Sequence, residues 1–242
     1  MRVDLQPAYV LHSRPYRDTS AIIELFTPEY GRLSAVARGV RRQSRRRSSS
    51  ARSQPFSPLL VSFSGRAELK TLVASESAGQ PHVLAGNSLF SGLHMNELLV
   101  RLLHRHDPHP ELFAFYAATL KDLSAGAALE PVLREFELKL LDDLGYSFDF
   151  SVDAQTGLEV REDCLYIYQT ELGLVHSPRR PDNGKPAYSG ADLKQIANGD
   201  YSGASAGTAK RLLREVLAGH LGGEPLRSRQ LFRSSHPKEG GP

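Results

Sequence analysis

YGRLSAVARGVRRQSRRRSSSARSQPFSPLLVSFSGRA, running from Tyr30 to Ala67, holds nine arginines (Arg32, Arg38, Arg41, Arg42, Arg45, Arg46, Arg47, Arg52 and Arg66) and neither Asp nor Glu. The stretch carries +9, whereas the whole chain, with 30 Lys and Arg against 27 Asp and Glu, carries +3. The remainder therefore sums to −6 (3 − 9). Basicity is local, and a field of one sign confined to a short segment attracts polyanions at close range. The centre, Gln43 to Gln54, has no apolar residue except Ala51, so it reads as a mobile loop between two ordered segments.

On both sides of that loop the texture is β. Ala8–Ser13, Ala21–Thr27, Gly31–Arg38, Phe56–Ser64 and Glu68–Ser77 are short runs rich in Val, Ile, Leu and Phe, separated by turn residues at Arg14–Asp18, Pro28–Gly31 and Gly65. Five short strands with no room for helical crossovers predict a small antiparallel barrel. The OB type, which binds single strands on one face and its loops, is preferred over an SH3-like barrel. The arginine loop then joins the third and fourth strands.

After Gln80-Pro81 the period becomes helical. Leu89, Leu93, Leu99 and Leu103 mark one run, closed by Pro108 and Pro110; Leu112, Phe113, Tyr116 and Leu120 mark a second. A third has Pro131 in its first turn, Leu133, Phe136, Leu140 and Leu144 as its inner stripe, and Gly145 as its stop. Beyond it, Leu158–Val160, Cys164–Gln169 and Leu172–His176 read as strands. Helices follow at Ala191–Ala197, capped by Ser189, and at Ala206–Leu221. The expected class is α+β: an OB-type barrel over residues 1–80, a helical domain over 81–147, a small β region over 148–186, and C-terminal helices packing on the helical domain, with a basic tail, over 187–242.

Composition narrows the function classes. Hydrophobic content of 40% and charged content of 24% are those of a folded globular chain. One cysteine, Cys164, rules out an internal disulfide and a Cys-based zinc site. Met1 to Pro15 has charges among its apolar residues, so no signal peptide is expected, and no run approaches the ~20 apolar residues of a spanning helix. A cytoplasmic protein is the default.

Other candidate sites read as structural. His104, His106 and His109 do not share a helix face, and histidines in a last helical turn suit the negative end of its dipole. Asp142 and Asp143 diverge on a helix, so a two-metal nuclease cluster with Asp149 and Asp153 is not expected. Gly203 to Lys210 lacks the Gly-Lys-Ser/Thr ending of a phosphate loop. Cys164 reads as a buried small residue. The arginines remain: phosphates favour their planar fork, and seven of them between Arg38 and Arg52 without an acidic partner repel one another unless a polyanion intervenes. Tyr16, Phe26, Tyr30 and Phe56 are candidates for base stacking, with core packing the competing reading of each.

The chain resembles the bacterial RecO family of recombination mediators. The resemblance runs through Val10-Leu11-His12-Ser13-Arg14-Pro15-Tyr16 with Thr19-Ser20, then Phe26-Thr27, Gly31-Arg32, Ala37-Arg38-Gly39, Gln54-Pro55-Phe56-Ser57-Pro58-Leu59 and Ser64-Gly65-Arg66-Ala67-Glu68-Leu69-Lys70-Thr71-Leu72. It continues with Asn96-Glu97-Leu98-Leu99, Leu112-Phe113, Leu133-Arg134-Glu135-Phe136-Glu137, Gly145-Tyr146 and Leu226-Arg227-Ser228-Arg229. It implies an OB barrel, a helical domain and a zinc-finger-like region. It also implies a protein that binds single- and double-stranded DNA, anneals strands, works with RecR, and loads the recombinase onto DNA coated by single-strand-binding protein. The acidic tail of that protein would dock on the helical domain. Zinc-binding members use four cysteines, so here the later region is expected to hold by packing alone, with no cofactor.

The resulting expectation is a DNA-repair mediator that is not an enzyme and is cytoplasmic, at the nucleoid. Phosphates are expected at Arg14, Arg32, Arg38, Arg41, Arg42, Arg45, Arg46, Arg47, Arg66 and Lys70. The partner's tail is expected at Phe136 and Leu140 in a groove, with Arg134 or Lys139 on its acidic residues. An RNA-binding or ribosome-associated OB protein is the alternative.

Overall fold

A computed structural model describes residues 1–38, 54–182, 184–222 and 224–234. By their contacts they form two units: Met1–Ala127 with the segment from Leu226 onward, and Ala128–Pro225.

The first unit is built on five strands: β1 (Arg2–Tyr16), β2 (Ser20–Thr27), β3 (Gly31–Ala37), β4 (Leu59–Ser64) and β5 (Lys70–Ser77). They close as a barrel in the order β1-β2-β3-β5-β4, with β3 and β5 parallel and the other pairs antiparallel. This is the OB arrangement. Alternation builds it: Ala21, Ile23 and Leu25 of β2 point inward with Leu33 and Ala35 of β3, and Val61 and Phe63 of β4 complete the core. One strand, β1, must serve two neighbours. It pairs with β4 through Ala8 and with β2 from Tyr9, with register shifts between Val3 and Gln6 and between Val10 and His12. Leu5, at φ +52°, donates its N–H to Ser62 Oγ at the first shift. Bulges of this kind turn the strand and let the sheet close.

Two helices, α1 (Gly86–Leu102) and α2 (Pro110–Ser124), cover part of the barrel's outer surface. Outward Tyr9 and Phe26, which register as a pair across β1 and β2, meet Phe113 and Tyr116 of α2 at ring-centre distances of 5.2 to 6.1 Å. The polar groups at this seam are satisfied: Tyr116 donates to Asn96 Oδ1 at 2.6 Å, and Asn96 Nδ2 donates to the Leu11 carbonyl at 3.0 Å. Burial pushes the Tyr116 phenol well above its ordinary range. A short helix, α3 (Ser228–Ser234), returns to pack on α1, with Phe232 against Phe90 at 5.6 Å. The Glu97 carboxylate accepts the backbone N–H groups of Arg227 and Ser228, each at 2.8 Å.

The second unit holds α4 (Leu129–Asp143), β6 (Leu165–Gln169), β7 (Gly173–Ser177), β8 (Tyr188–Ser189), α5 (Gly190–Ala197) and α6 (Gly203–His220). Its sheet runs β7-β6-β8, α6 packs on α4, and Phe148, Phe150 and Tyr168 form an aromatic cluster.

Five strands lie near the apolar runs expected to form them, but β1 is longer, extending from Arg2 through Arg14–Tyr16 of the expected turn, and β3 pairs with β5 in parallel; the centre of the arginine segment between β3 and β4 lies outside the described residues. Elsewhere the structure differs. The three helices expected as one domain over 81–147 are divided, the first two belonging with the barrel and the third with the later residues. Leu158–Val160 is reduced to an isolated bridge between Val152 and Glu159, because a tight turn separates the two, with the Gly157 N–H on the Asp153 carbonyl at 2.8 Å and Gly157 at φ +72°. Ser189 occupies the first cap position of α5 without a side-chain cap hydrogen bond. The first helix ends at Leu102, so His104, His106 and His109 lie in the connection that follows it, not in its last turn.

Candidate nucleic-acid interface

The strand registers gather cations at one edge of the barrel. A single lateral row of outward positions runs Arg14 (β1), Ile22 (β2), Val36 (β3), Thr71 (β5), Ser64 (β4) and back to Arg2. Arg14 is exposed on this row. Arg38 follows the end of β3, Arg17 sits in the turn between β1 and β2, and Arg66 lies in the connection from β4 to β5; all three are exposed. Ile22 is buried, while Val36 and Thr71 are half-buried between the cations. Arg38 is the last described residue before the arginine-rich segment. Arg41, Arg42, Arg45, Arg46 and Arg47 lie outside the described residues.

Two of the expected phosphate contacts have other partners. The Arg32 side chain is only 13% exposed; it pairs with Glu24 at 3.2 Å and donates from Nε to the Leu103 carbonyl at 3.1 Å. Burial lowers the affinity of this guanidinium for its proton, and Glu24 opposes that shift. Lys70 is buried, and its Nζ donates to the Ala67 carbonyl at 2.9 Å. Strand parity explains Lys70: it is paired with Ala35, an inward residue, so its ammonium reaches the barrel's end only by following its own chain.

Around Arg32 an ionic network spans the outer face next to that edge. Glu24 accepts from Ser34 Oγ at 2.5 Å and lies 3.7 Å from Arg105, which in turn bonds the Glu68 carboxylate of the β4–β5 connection. That hydrogen bond draws the Glu68 carboxyl below the usual carboxylate range and raises the Arg105 guanidinium. The segment carrying Arg105 is fixed by backbone: His106 N–H donates to the Arg32 carbonyl at 3.0 Å, and Gly31, at φ +56°, has no room for a side chain, since a Cβ there would lie 1.8 Å from the Asp107 carbonyl oxygen. Arg17 and Arg105 escaped the sequence reading. Arg17 stood in a recognised turn and was findable; Arg105 is brought to the barrel by tertiary packing alone.

Of the four aromatic candidates, Phe26 and Phe56 are buried, and Tyr30 packs edge-on against Phe63 at 5.5 Å. Tyr16 keeps an accessible ring, with the Arg17 guanidinium 5.2 Å from its centre.

The expected tail groove needs correction. Phe136 and Leu140 are 0% exposed, and the Arg134 side chain is buried in a 2.7 Å pair with Glu137. Phe136 and Leu140 of α4 therefore offer no open groove. Lys139 keeps part of its surface and pairs with Asp142 at 3.7 Å.

Among the described residues, no group of three His, Cys, Asp or Glu side chains could hold a metal ion. Asp149 accepts from the N–H and Oγ of Ser151, which lower its carboxyl, and Asp153 accepts the N–H of Gln155. Gly203 to Lys210 is the first half of α6, with Lys210 paired to Glu130 at 2.8 Å. Cys164 is half-buried beside Asp163. No described helix is long and apolar enough to cross a membrane.

Comparison with known proteins gives two family matches in tandem: Recombination protein O N terminal over residues 1–80 and Recombination protein O C terminal over residues 85–230. Similar proteins named DNA repair protein RecO occur in Pseudomonas aeruginosa strain LESB58, 47% identical over 237 residues, covering 97% of each chain. Those of Nitrosococcus oceani (48% over 233 residues, 96% of this chain and 94% of the relative) and Methylococcus capsulatus (45% over 235 residues, 97% and 95%) are of the same kind.

Proposed function

This chain belongs to the RecO family of DNA repair proteins, and from that premise we propose that it is a non-enzymatic recombination mediator that holds DNA on the basic edge of its barrel. The observation that carries the reading is the convergence of Arg14, Arg17, Arg38 and Arg66, all exposed, where the arginine loop departs. Arg41, Arg42, Arg45, Arg46 and Arg47 extend that field, and Tyr16 offers a ring to an unpaired base. Arg32 and Lys70 support the barrel and do not meet phosphate.

Annealing then needs no covalent chemistry. Neutralising two strands at once lowers their mutual repulsion and raises their local concentration, for single- and double-stranded DNA alike. In this reading the protein acts with RecR in the cytoplasm, at the nucleoid. It displaces single-strand-binding protein by taking hold of its acidic tail, and so admits the recombinase. Of the residues expected to meet that tail, Lys139 is the one whose surface supports a role.

The test compares annealing of complementary strands coated with single-strand-binding protein by the intact chain and by a variant with Arg41, Arg42, Arg45, Arg46 and Arg47 replaced by Ser, at two salt concentrations. The variant should lose most annealing, and log affinity for single strands should fall with log salt by roughly 0.7 per lost contact less steeply. Full annealing by the variant removes the loop from the site, and a preference for structured RNA over single-stranded DNA overturns the mediator reading.

A further inference from the structure

The Arg105–Glu68 pair lies on the barrel's outer face one row from the basic edge. Glu24 and Ser34 are outward partners across β2 and β3, two residues along each strand from Ile22 and Val36, which places them about 7 Å from the Arg14 row. Arg105 is anchored from behind. Its neighbour His106 is hydrogen-bonded to β3, and its guanidinium faces buried Glu24 at 3.7 Å. Its outward side meets Glu68, whose side chain is 64% exposed and stands in the β4–β5 connection two residues from Arg66. The two carboxylates are held very differently. Glu24 is 11% exposed and has Arg32 and Ser34 besides Arg105, so it cannot leave without stranding them. Glu68 has solvent around it, and an ion pair so exposed is weak in water.

We propose, resting on the reading of this barrel as a DNA interface, that Arg105 is a phosphate-binding residue of the DNA path and that Glu68 occupies its outward fork in the free protein, to be displaced when a strand arrives. The carboxylate stands in for a phosphate. Both are planar or tetrahedral oxyanions that accept paired hydrogen bonds from a guanidinium, but a strand delivers several charges at once to Arg14, Arg38, Arg66 and Arg105, whereas Glu68 delivers one. Release of Glu68 leaves Arg105 in place, because Glu24 and the backbone bond at His106 still hold it. The device selects for a polyanion long enough to reach from the edge onto the face. A single phosphate lacks the neighbouring contacts that make displacement of Glu68 favourable.

The experiment measures binding of a labelled oligothymidylate by anisotropy across a salt series, for the unchanged chain, Glu68→Gln, Arg105→Ala and the double variant. Glu68→Gln should tighten binding about two- to fivefold. Arg105→Ala should make the salt dependence shallower by about 0.7, and in its background Glu68→Gln should gain nothing. A gain that persists undiminished without Arg105 reports only the loss of a negative charge, and overturns the proposal; so does an unchanged salt slope in Arg105→Ala. If Arg105→Ala fails to fold, Glu68→Arg decides, since a cation added on the path should steepen the slope and one off the path should not. A chain that binds no strand at all would refute the reading of function itself, while normal binding indifferent to these variants refutes this inference alone.

Discussion

Arg14 and Arg32 sit on the same barrel, on the strands β1 and β3 that flank β2, yet one is exposed at the edge with no acidic partner among the described residues and the other is structural. The difference is made by one carboxylate. Glu24, on β2 opposite Ser34 of β3, reaches Arg32 in the next outward pair of positions, and thereby turns an arginine into part of the scaffold. Nothing acidic stands on the row that holds Arg14, and no described residue pairs with it, so its charge faces outward. An arginine's role is thus decided by what its strand partners bring within reach, and counting arginines in a segment overstates the site by those already paired.

The largest effect is expected at the seam that holds Arg32 in place: Gly31→Ala forces a Cβ into the Asp107 carbonyl at a left-handed backbone position, and should cost about 3 kcal/mol or more in chemical denaturation. Next, Arg32→Ala leaves Glu24 poorly compensated at low exposure and should cost about 2–3 kcal/mol, with little change in the salt dependence of DNA binding once the protein is folded. A stability change within noise would mean that Glu24 is not the organiser described above.

A smaller effect belongs to the helix clasp. Burial pushes the Glu97 carboxyl up, but the hydrogen bonds from Ser228 and from the backbone of Arg227 outweigh it, and its affinity for a proton falls below the ordinary value of 4.5. Such a group stabilises the fold above its unfolded-state pKa and ceases to do so as pH falls through the folded one. Glu97→Gln should therefore weaken amide-exchange protection over α3 by about 1 kcal/mol at neutral pH, and the deficit should disappear as the medium is acidified below pH 4.5. The smallest stability effects are those of Arg14→Ala and Arg66→Ala, within about 0.5 kcal/mol. Each should nevertheless make the salt dependence of DNA binding shallower by about 0.7. That opposition, stability moved by Arg32 and binding moved by Arg14, is the comparison in measurable form.

Much of this was legible in the chain. The runs rich in Val, Ile, Leu and Phe at Ala21–Thr27 and Gly31–Arg38 point to strands, and the change of period after Gln80-Pro81 points to helices; the inward faces, Ala21, Ile23 and Leu25 against Leu33 and Ala35, come from the structure. What could not be read is pairing. No local pattern tells that Glu24 takes Arg32, that Arg105 from after α1 comes to rest on β3, or that Phe136 and Leu140 are fully buried. An amphipathic stripe states that a helix is covered without saying by what, which is why three similar helices read as one domain and are found in two units. The same holds for Lys70, whose charge is plain in the sequence while its inward register is not.

The clasp at Glu97 joins residues about 130 positions apart, with the whole of the second unit between them. Synthesis runs in one direction, so the barrel and its two covering helices emerge from the ribosome long before Ser228 does. Until then the α1 surface around Phe90, His94 and Glu97 waits without its last helix while an entire second unit is made and folds. The order of translation thus leaves an interval in which the barrel unit is assembled but unfastened, and a slow codon or a pause between Ala128 and Pro225 lengthens the exposure of that surface to chaperones and proteases.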